Sequence, residues 1–193
     1  MSLPPEHASH SESILNGHLE GFGLSRILVA GDGNCFFTAM AFQLHQLMST
    51  TDVPDLVGNS LSSIGITTNM SIPQLAPLLR ELVVEDWLSD RIDNYIFSFV
   101  SDSVDFLAEV KQFEQSGYHH GPLGDLMPMA MANVLHMPLA IVTSEPHSPL
   151  ICVCPSGSPI TDLPLFLAYD SFGAGHNDGA ILVTKDVSSG KYW

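Results

Sequence analysis

The hydrophobic period of this chain changes once along its length, and that change limits the fold more than any other feature. Up to about residue 135 the apolar residues recur at helical spacing. Phe36, Phe37, Met40, Ala41, Leu44, Leu47 and Met48 form one wide stripe, the pattern of a helix lying on a core. Ser71-Ile-Pro-Gln74 has capping-box spacing with proline in the first turn, which predicts a helix to about Trp87. Tyr95, Phe97, Phe99 and Val100 suggest more helix or a connection, and Asp102 to about Glu114 reads as helix ended by Gly117. Asp125 is placed to cap a helix through Leu135, with Pro128 in its first turn. From Pro138 onward the apolar runs are short and bounded by Pro, Gly, Ser and Asp. Pro138–Thr143, Leu150–Cys154, Leu165–Tyr169 and Ala180–Thr184 read as strands. Helices mostly first and strands mostly last predict an α+β fold, one sheet packed against helices.

The remaining segments fit one domain of 193 residues with tails. Residues 1–13 lack periodicity and read as a mobile tail, 14–185 as the domain, and 186–193 as a C-terminal tail. Ile14, Leu15, Leu19 and Phe22 mark a short helix stopped by Gly21 and Gly23. Arg26-Ile-Leu-Val-Ala30 is an extended run entering the turn Gly31-Asp-Gly-Asn34. Residues 49–70, rich in Ser, Thr, Asn and Gly, read as a loop. The end at Trp193, soon after the last predicted strand, suits a domain cut from a longer chain.

Charge removes whole classes of function. Acids number 21 against 6 bases, a net charge of −15. Such a chain repels phosphate backbones and anionic membranes, whereas a basic protein or peptide tail suits it. With 45% hydrophobic residues it is no disordered acidic tail. Neither a signal peptide nor an apolar run of membrane-spanning length is visible. Cys35, Cys152 and Cys154 cannot all pair, and neighbours one residue apart rarely bridge. The thiols read as reduced, in a cytoplasmic or nuclear setting.

Two segments hold candidate chemistry. Gly31-Asp-Gly-Asn-Cys35 sits at the mouth of a predicted helix. A helix N-terminus favours thiolate, and its unpaired N–H groups suit an oxyanion. The competing reading is a buried cysteine packed as a small hydrophobe, but the polar turn would hold the thiol near the surface. Asp170-Ser-Phe-Gly-Ala-Gly-His-Asn-Asp178 lies between two predicted strands. His176 is the candidate general base. If His176 and Asp178 share a strand, period 2 puts both side chains on one face, where a carboxylate would orient the imidazole. Asp170 is the rival orienting group. A solvated turn is an equally good account of this segment by itself. Cys152 and Cys154, spaced C-x-C, make a poor metal pair and suit a core-facing strand better. His119 and His120 either touch substrate or decorate a loop. His7, His10 and His18 read as idle, and Phe97, Phe99 and Phe106 as core.

Together, Asp32-Gly-Asn-Cys-Phe-Phe37 after a short apolar strand and Gly-His176-Asn-Asp178-Gly before the last strand resemble the ovarian-tumour (OTU) family of papain-like cysteine proteases. The likeness covers about residues 14–185. It includes the Gly117–Leu135 turn and helix, the strand after it, and Leu165–Tyr169 before the histidine. The resemblance implies a papain-like OTU fold with a small central sheet between helices. It implies hydrolysis of isopeptide bonds at the ubiquitin C-terminus, with ubiquitin or polyubiquitin as partner, as a monomer and without metal or organic cofactor. By position it makes Cys35 the nucleophile, His176 the base and then acid, and Asp178 the orienting residue. The backbone of Asp32, Gly33 and Asn34, with the Cys35 N–H, would form the oxyanion hole. Asn177 stands where the family usually has an aromatic residue, and Thr38 where arginine is common. Residues 49–100 match no family landmark. Two other readings remain, a catalytically silent ubiquitin-binding module of the same fold and a papain-like protease of a ubiquitin-like modifier or another peptide.

Overall fold

A computed structural model of the chain describes residues 5–50, 53–89, 106–172 and 175–183. The elements run α1 Pro5–Gly21, β1 Leu24–Ile27, α2 Cys35–Met48, α3 Asp55–Ser63, α4 Ile72–Leu88 and α5 Phe106–Phe113. A 3-10 turn Gly124–Leu126 leads into α6 Met127–Leu135, and then come β2 Leu139–Thr143, β3 Leu150–Val153, β4 Leu165–Asp170 and β5 His176–Leu182. The strands form one sheet in the order β1-β5-β4-β2-β3. Only β2 and β4 are parallel; the other three pairings are antiparallel.

Alternation along the strands divides the core in two. On β2 and β4, Leu139, Ile141, Leu165 and Leu167 face the larger core, built with α2, α4 and α6. Val142 and Ala168 point the other way, where with Ala180 of β5 they meet Leu15 and Leu19 of α1. The sheet therefore lies between α1 and the remaining helices. β2 is buried along its whole length, as expected of an inner strand reading Leu-Ala-Ile-Val-Thr.

Several elements depart from the sequence reading. Helix α1 begins at Pro5 rather than 14, so residues 5–13 are not a tail. Ser11 Oγ donates to Asp170 Oδ1 at 2.5 Å, and Glu12 pairs with Arg26 at 3.3 Å. His18, read as idle, fastens α1 to the end of β2 through Nδ1 and the Thr143 carbonyl oxygen, 2.8 Å apart. The supposed loop 49–70 contains α3, which buries Val57 and Leu61. Asp125 lies inside the 3-10 turn, and Leu126 occupies the cap of α6. Strand β5 starts at His176, four residues before the predicted start at Ala180. The capping box at Ser71 and Gln74 is formed, with the Ser71 N–H donating to Gln74 Oε1 at 2.9 Å. The readings at 95–100, at the start of the helix before 106, and at 186–193 lie outside the described residues.

Candidate active site

Cys35 is the first residue of α2, and Asn34 is its cap. Phe36, Phe37, Met40 and Leu44 anchor this helix in the larger core, so the turn before it is held at one end by burial. The turn is then fixed by hydrogen bonds. Asp32 Oδ1 accepts the Asn34 N–H at 2.9 Å. That bond holds the Asp32 carboxyl below the usual carboxylate range. Gly33 has φ +79°, and a Cβ there would collide with the Gly117 carbonyl, so glycine is required on both counts. The Asn34 side chain does not cap α2. Its Oδ1 instead accepts the Gly117 N–H at 2.8 Å, the Ser116 hydroxyl at 3.1 Å and Arg80 Nη2 at 3.0 Å.

Arg80, reaching in from α4, is a residue of the candidate site that the sequence reading did not single out. It is 6% exposed. Nη2 also donates to the Gly33 carbonyl at 3.2 Å, while Nη1 donates to the carbonyls of Phe113 at 3.1 Å and Tyr118 at 2.8 Å. Its guanidinium lies 4.4 Å above the Phe37 ring. Burial pushes its pKa down, and the nearby Asp32 and Cys35 oppose that. One cation thus ties the Cys35 turn to the 113–118 segment. The only sequence hint was a lone arginine amid the apolar residues of a predicted helix.

The histidine side is built on β5. His176 and Asp178 lie on one face, as period 2 requires, and His176 Nε2 is 3.1 Å from Asp178 Oδ1. Asp178 is fully buried. Its Oδ1 also accepts the Val29 N–H at 2.6 Å, and its Oδ2 accepts Arg26 Nε at 2.6 Å. The opposite edge of the imidazole faces Gly31, where a Cβ would lie 3.5 Å from Nδ1. The ring therefore spans from Asp178 to the turn that presents Cys35. Asp170, the rival, is Cα partner to His176 across the sheet. Its Oδ1, however, accepts from Ser11, from the Ser144 hydroxyl at 3.2 Å and from the Phe172 N–H at 3.1 Å. The carboxylate bonded to the imidazole is that of Asp178.

No family model matches the chain, and no curated protein matches it. Solved structures do. The OTU domain of OTUD1 superposes with a TM-score of 0.59 over 89% of this chain and 95% of that one, at 17% identity. The structure of ceOTUB1 in complex with ubiquitin aldehyde and UBC13~Ub gives 0.59 over 91% and 86%, at 12% identity. The fold is that of an OTU domain. Within this OTU fold the Cys35 turn and the β5 histidine meet at one end of the sheet.

Other residues singled out in the sequence are now placed. Cys35 is buried, at 5% exposure, rather than held at the surface. Cys152, on the edge strand β3, and Cys154, just after it, are free and exposed, not on a core face. Among the described residues no three His, Cys, Asp or Glu side chains gather as a metal site. His119 packs on the Cys35 turn, where a Cβ on Gly33 would lie 2.8 Å from its Nδ1. Phe106 is buried, as read, while Phe97 and Phe99 lie outside the described residues. Beside the turn, a groove of about 750 Å³ runs between α2 and α4, over Phe37 and Val84, with Asp32, Glu81, Glu85 and Glu114 along it. No helix among the described residues is long and apolar enough to cross a membrane.

Proposed function

We propose that this chain is a thiol-dependent deubiquitinase that hydrolyses isopeptide bonds at the ubiquitin C-terminus. The observation that carries the reading is the imidazole of His176, bonded to buried Asp178 on one edge and facing the Cys35 turn with the other. Position at the start of α2 supports Cys35 as nucleophile. The OTU fold supports ubiquitin as the substrate class, since ceOTUB1 is found in complex with ubiquitin aldehyde and UBC13~Ub.

In the reaction, His176 takes the thiol proton and Cys35 Sγ attacks the isopeptide carbonyl carbon. The carbonyl π electrons move to oxygen. Collapse of that intermediate breaks the C–N bond, and His176 gives its proton to the departing lysine amine. Water then attacks the thioester, with His176 accepting its proton. The thiolate leaves and recovers that proton from His176, and the ubiquitin carboxylic acid releases its remaining proton to solvent and departs as a carboxylate. Asp178 keeps the Nε2–H tautomer, leaving Nδ1 for the proton transfers.

Donors for the oxyanion come from the backbone of Asp32, Gly33, Asn34 and Cys35. The Asn34 N–H is already donated to Asp32, so the Cys35 N–H, unpaired within its helix, is the principal donor in this arrangement. The carboxylates beside the turn complement a basic tail. Cleavage of diubiquitins tests the reading. Wild type should cut at least one linkage, and Cys35→Ser and His176→Ala should each lose about 10²-fold or more of kcat/KM. Undiminished cleavage by either variant would overturn it.

A further inference from the structure

The buried carboxylate behind His176 is shared. Asp178 Oδ1 takes the imidazole and the Val29 N–H, and Oδ2 takes Arg26 Nε at 2.6 Å. The Arg26 side chain is 14% exposed and that of Asp178 1%. Arg26 in turn reaches Glu12 of α1 at 3.3 Å, and the Glu12 side chain is 57% exposed. A chain of alternating charge therefore runs from the surface of α1 to the imidazole: Glu12, Arg26, Asp178, His176. The proposed mechanism uses Asp178 and His176 and leaves the first two without a role.

We propose that Arg26 is a positioning residue of the site, one that fixes the Asp178 carboxylate against His176 and offsets part of the negative charge the imidazolium feels. The proposal rests on the Cys35–His176–Asp178 reading. Two physical effects follow from the geometry. Three donors on one carboxylate leave it a single orientation, so the imidazole is aimed without a further partner. A guanidinium on the far oxygen also opposes protonation of the ring on the near one, because like charges separated by one carboxylate repel through a poorly screened interior. Arg26 thereby sets how far up in pH the thiolate–imidazolium pair survives.

Other titratable groups stand around this pair. Asp170 of β4 is the Cα partner of His176, Tyr169 beside it brings its hydroxyl against Gly175, the residue before His176, and Gly31, against the ring, belongs to the turn that contains Asp32 and leads to Cys35. Asp170 is engaged by Ser11, Ser144 and the Phe172 N–H. Burial, with Asp125, Glu145, Asp170 and Cys35 around it, pushes the Tyr169 phenol above its ordinary value. Tyr169 is thus neutral across the working range. Among the described residues Arg26 is the arginine or lysine bonded to the carboxylate that orients His176.

The test is the pH dependence of Cys35 alkylation by iodoacetamide, read by mass of the Cys35 peptide in a Cys152→Ser/Cys154→Ser background, since both of those thiols are exposed. An ion-paired thiol gives two inflections, one for thiolate formation and one for loss of the imidazolium proton. Arg26→Met should raise the upper inflection by about one pH unit, and Arg26→Lys should leave it near wild type. Glu12→Gln, a change at an exposed position that leaves the buried pair intact, should lower it by a few tenths. An upper inflection unmoved in Arg26→Met, or moved equally in Arg26→Lys, overturns the proposal. If Arg26→Met does not fold, an unmoved or raised inflection in Glu12→Gln overturns it. A wild-type profile with a single inflection overturns the Cys–His reading beneath it, and that failure is visible before any Arg26 variant is made.

Discussion

Residue by residue, the site leaves little redundancy around His176. Asp170 stands across from it but is committed to Ser11, Ser144 and the Phe172 N–H. Asn34, another side chain near the turn, is committed to Arg80, Ser116 and Gly117. The carboxylate that meets the imidazole is instead that of Asp178. Asp178→Ala should therefore lose nearly as much kcat/KM as His176→Ala, about 10²-fold or more, while Asp170→Asn should retain most activity. Comparable losses for Asp170→Asn and Asp178→Ala on a ubiquitin C-terminal amide would contradict this assignment. A second prediction concerns Asp32, whose folded pKa lies below its free value of 3.8. A depressed carboxyl stabilises the turn above that value and loses the contribution as pH falls through the folded pKa. Hydrogen-exchange protection of the Asn34 amide should persist at pH 5 and weaken only as pH falls below 3.8, the free value. In Asp32→Asn it should show no such acid step.

The elements divide into those whose shape shows in one stretch of sequence and those fixed by distant partners. Helix α2, the capped start of α4 and strands β2 to β4 follow from apolar period and turn chemistry, so they were legible. The first half of α1 was not. Pro5–Ser13 has no apolar stripe, and its helix is tied down at its end by Asp170 and Arg26, both distant in sequence. Helix α3 hides in Ser, Asn and Gly because only Val57 and Leu61 need burying. The early start of β5 is set by pairing of His176 with Asp170, which composition does not reveal. Of the candidate site, the place of Cys35 at a helix start and the shared face of His176 and Asp178 were legible, because a turn at a helix start and an i, i+2 pair are local patterns. Arg80 and Arg26 were not, since each acts across the fold. Arg80→Met would leave the carbonyls of Gly33, Phe113 and Tyr118 and the Asn34 side chain short of a donor. It should cost about 2–4 kcal/mol in urea unfolding and slow Cys35 alkylation. Arg80→Lys should rescue little, because an ammonium cannot fork to four acceptors in one plane. Full stability in Arg80→Lys would refute the forked role.

For the molecule as a whole, the charge of −15 sets how a substrate arrives. The carboxylates of Glu81, Glu85 and Glu114 line the groove beside the Cys35 turn, so local and global charge act in the same sense on a basic tail. Encounter should be steered electrostatically. Raising salt from 20 to 300 mM should reduce kcat/KM about 3- to 10-fold, mainly through KM. Glu81→Lys with Glu85→Lys should flatten that dependence. A salt-independent kcat/KM in wild type would show that charge does not guide this substrate. The central claim, that Cys35 is a nucleophile addressed to ubiquitin, has a direct test. Incubate the chain with ubiquitin bearing a C-terminal electrophile, and read intact mass beside a Cys35→Ala control. The account predicts one covalent ubiquitin on wild type and none on the control. No adduct on wild type while iodoacetamide still alkylates Cys35, or an adduct that survives Cys35→Ala, would contradict it.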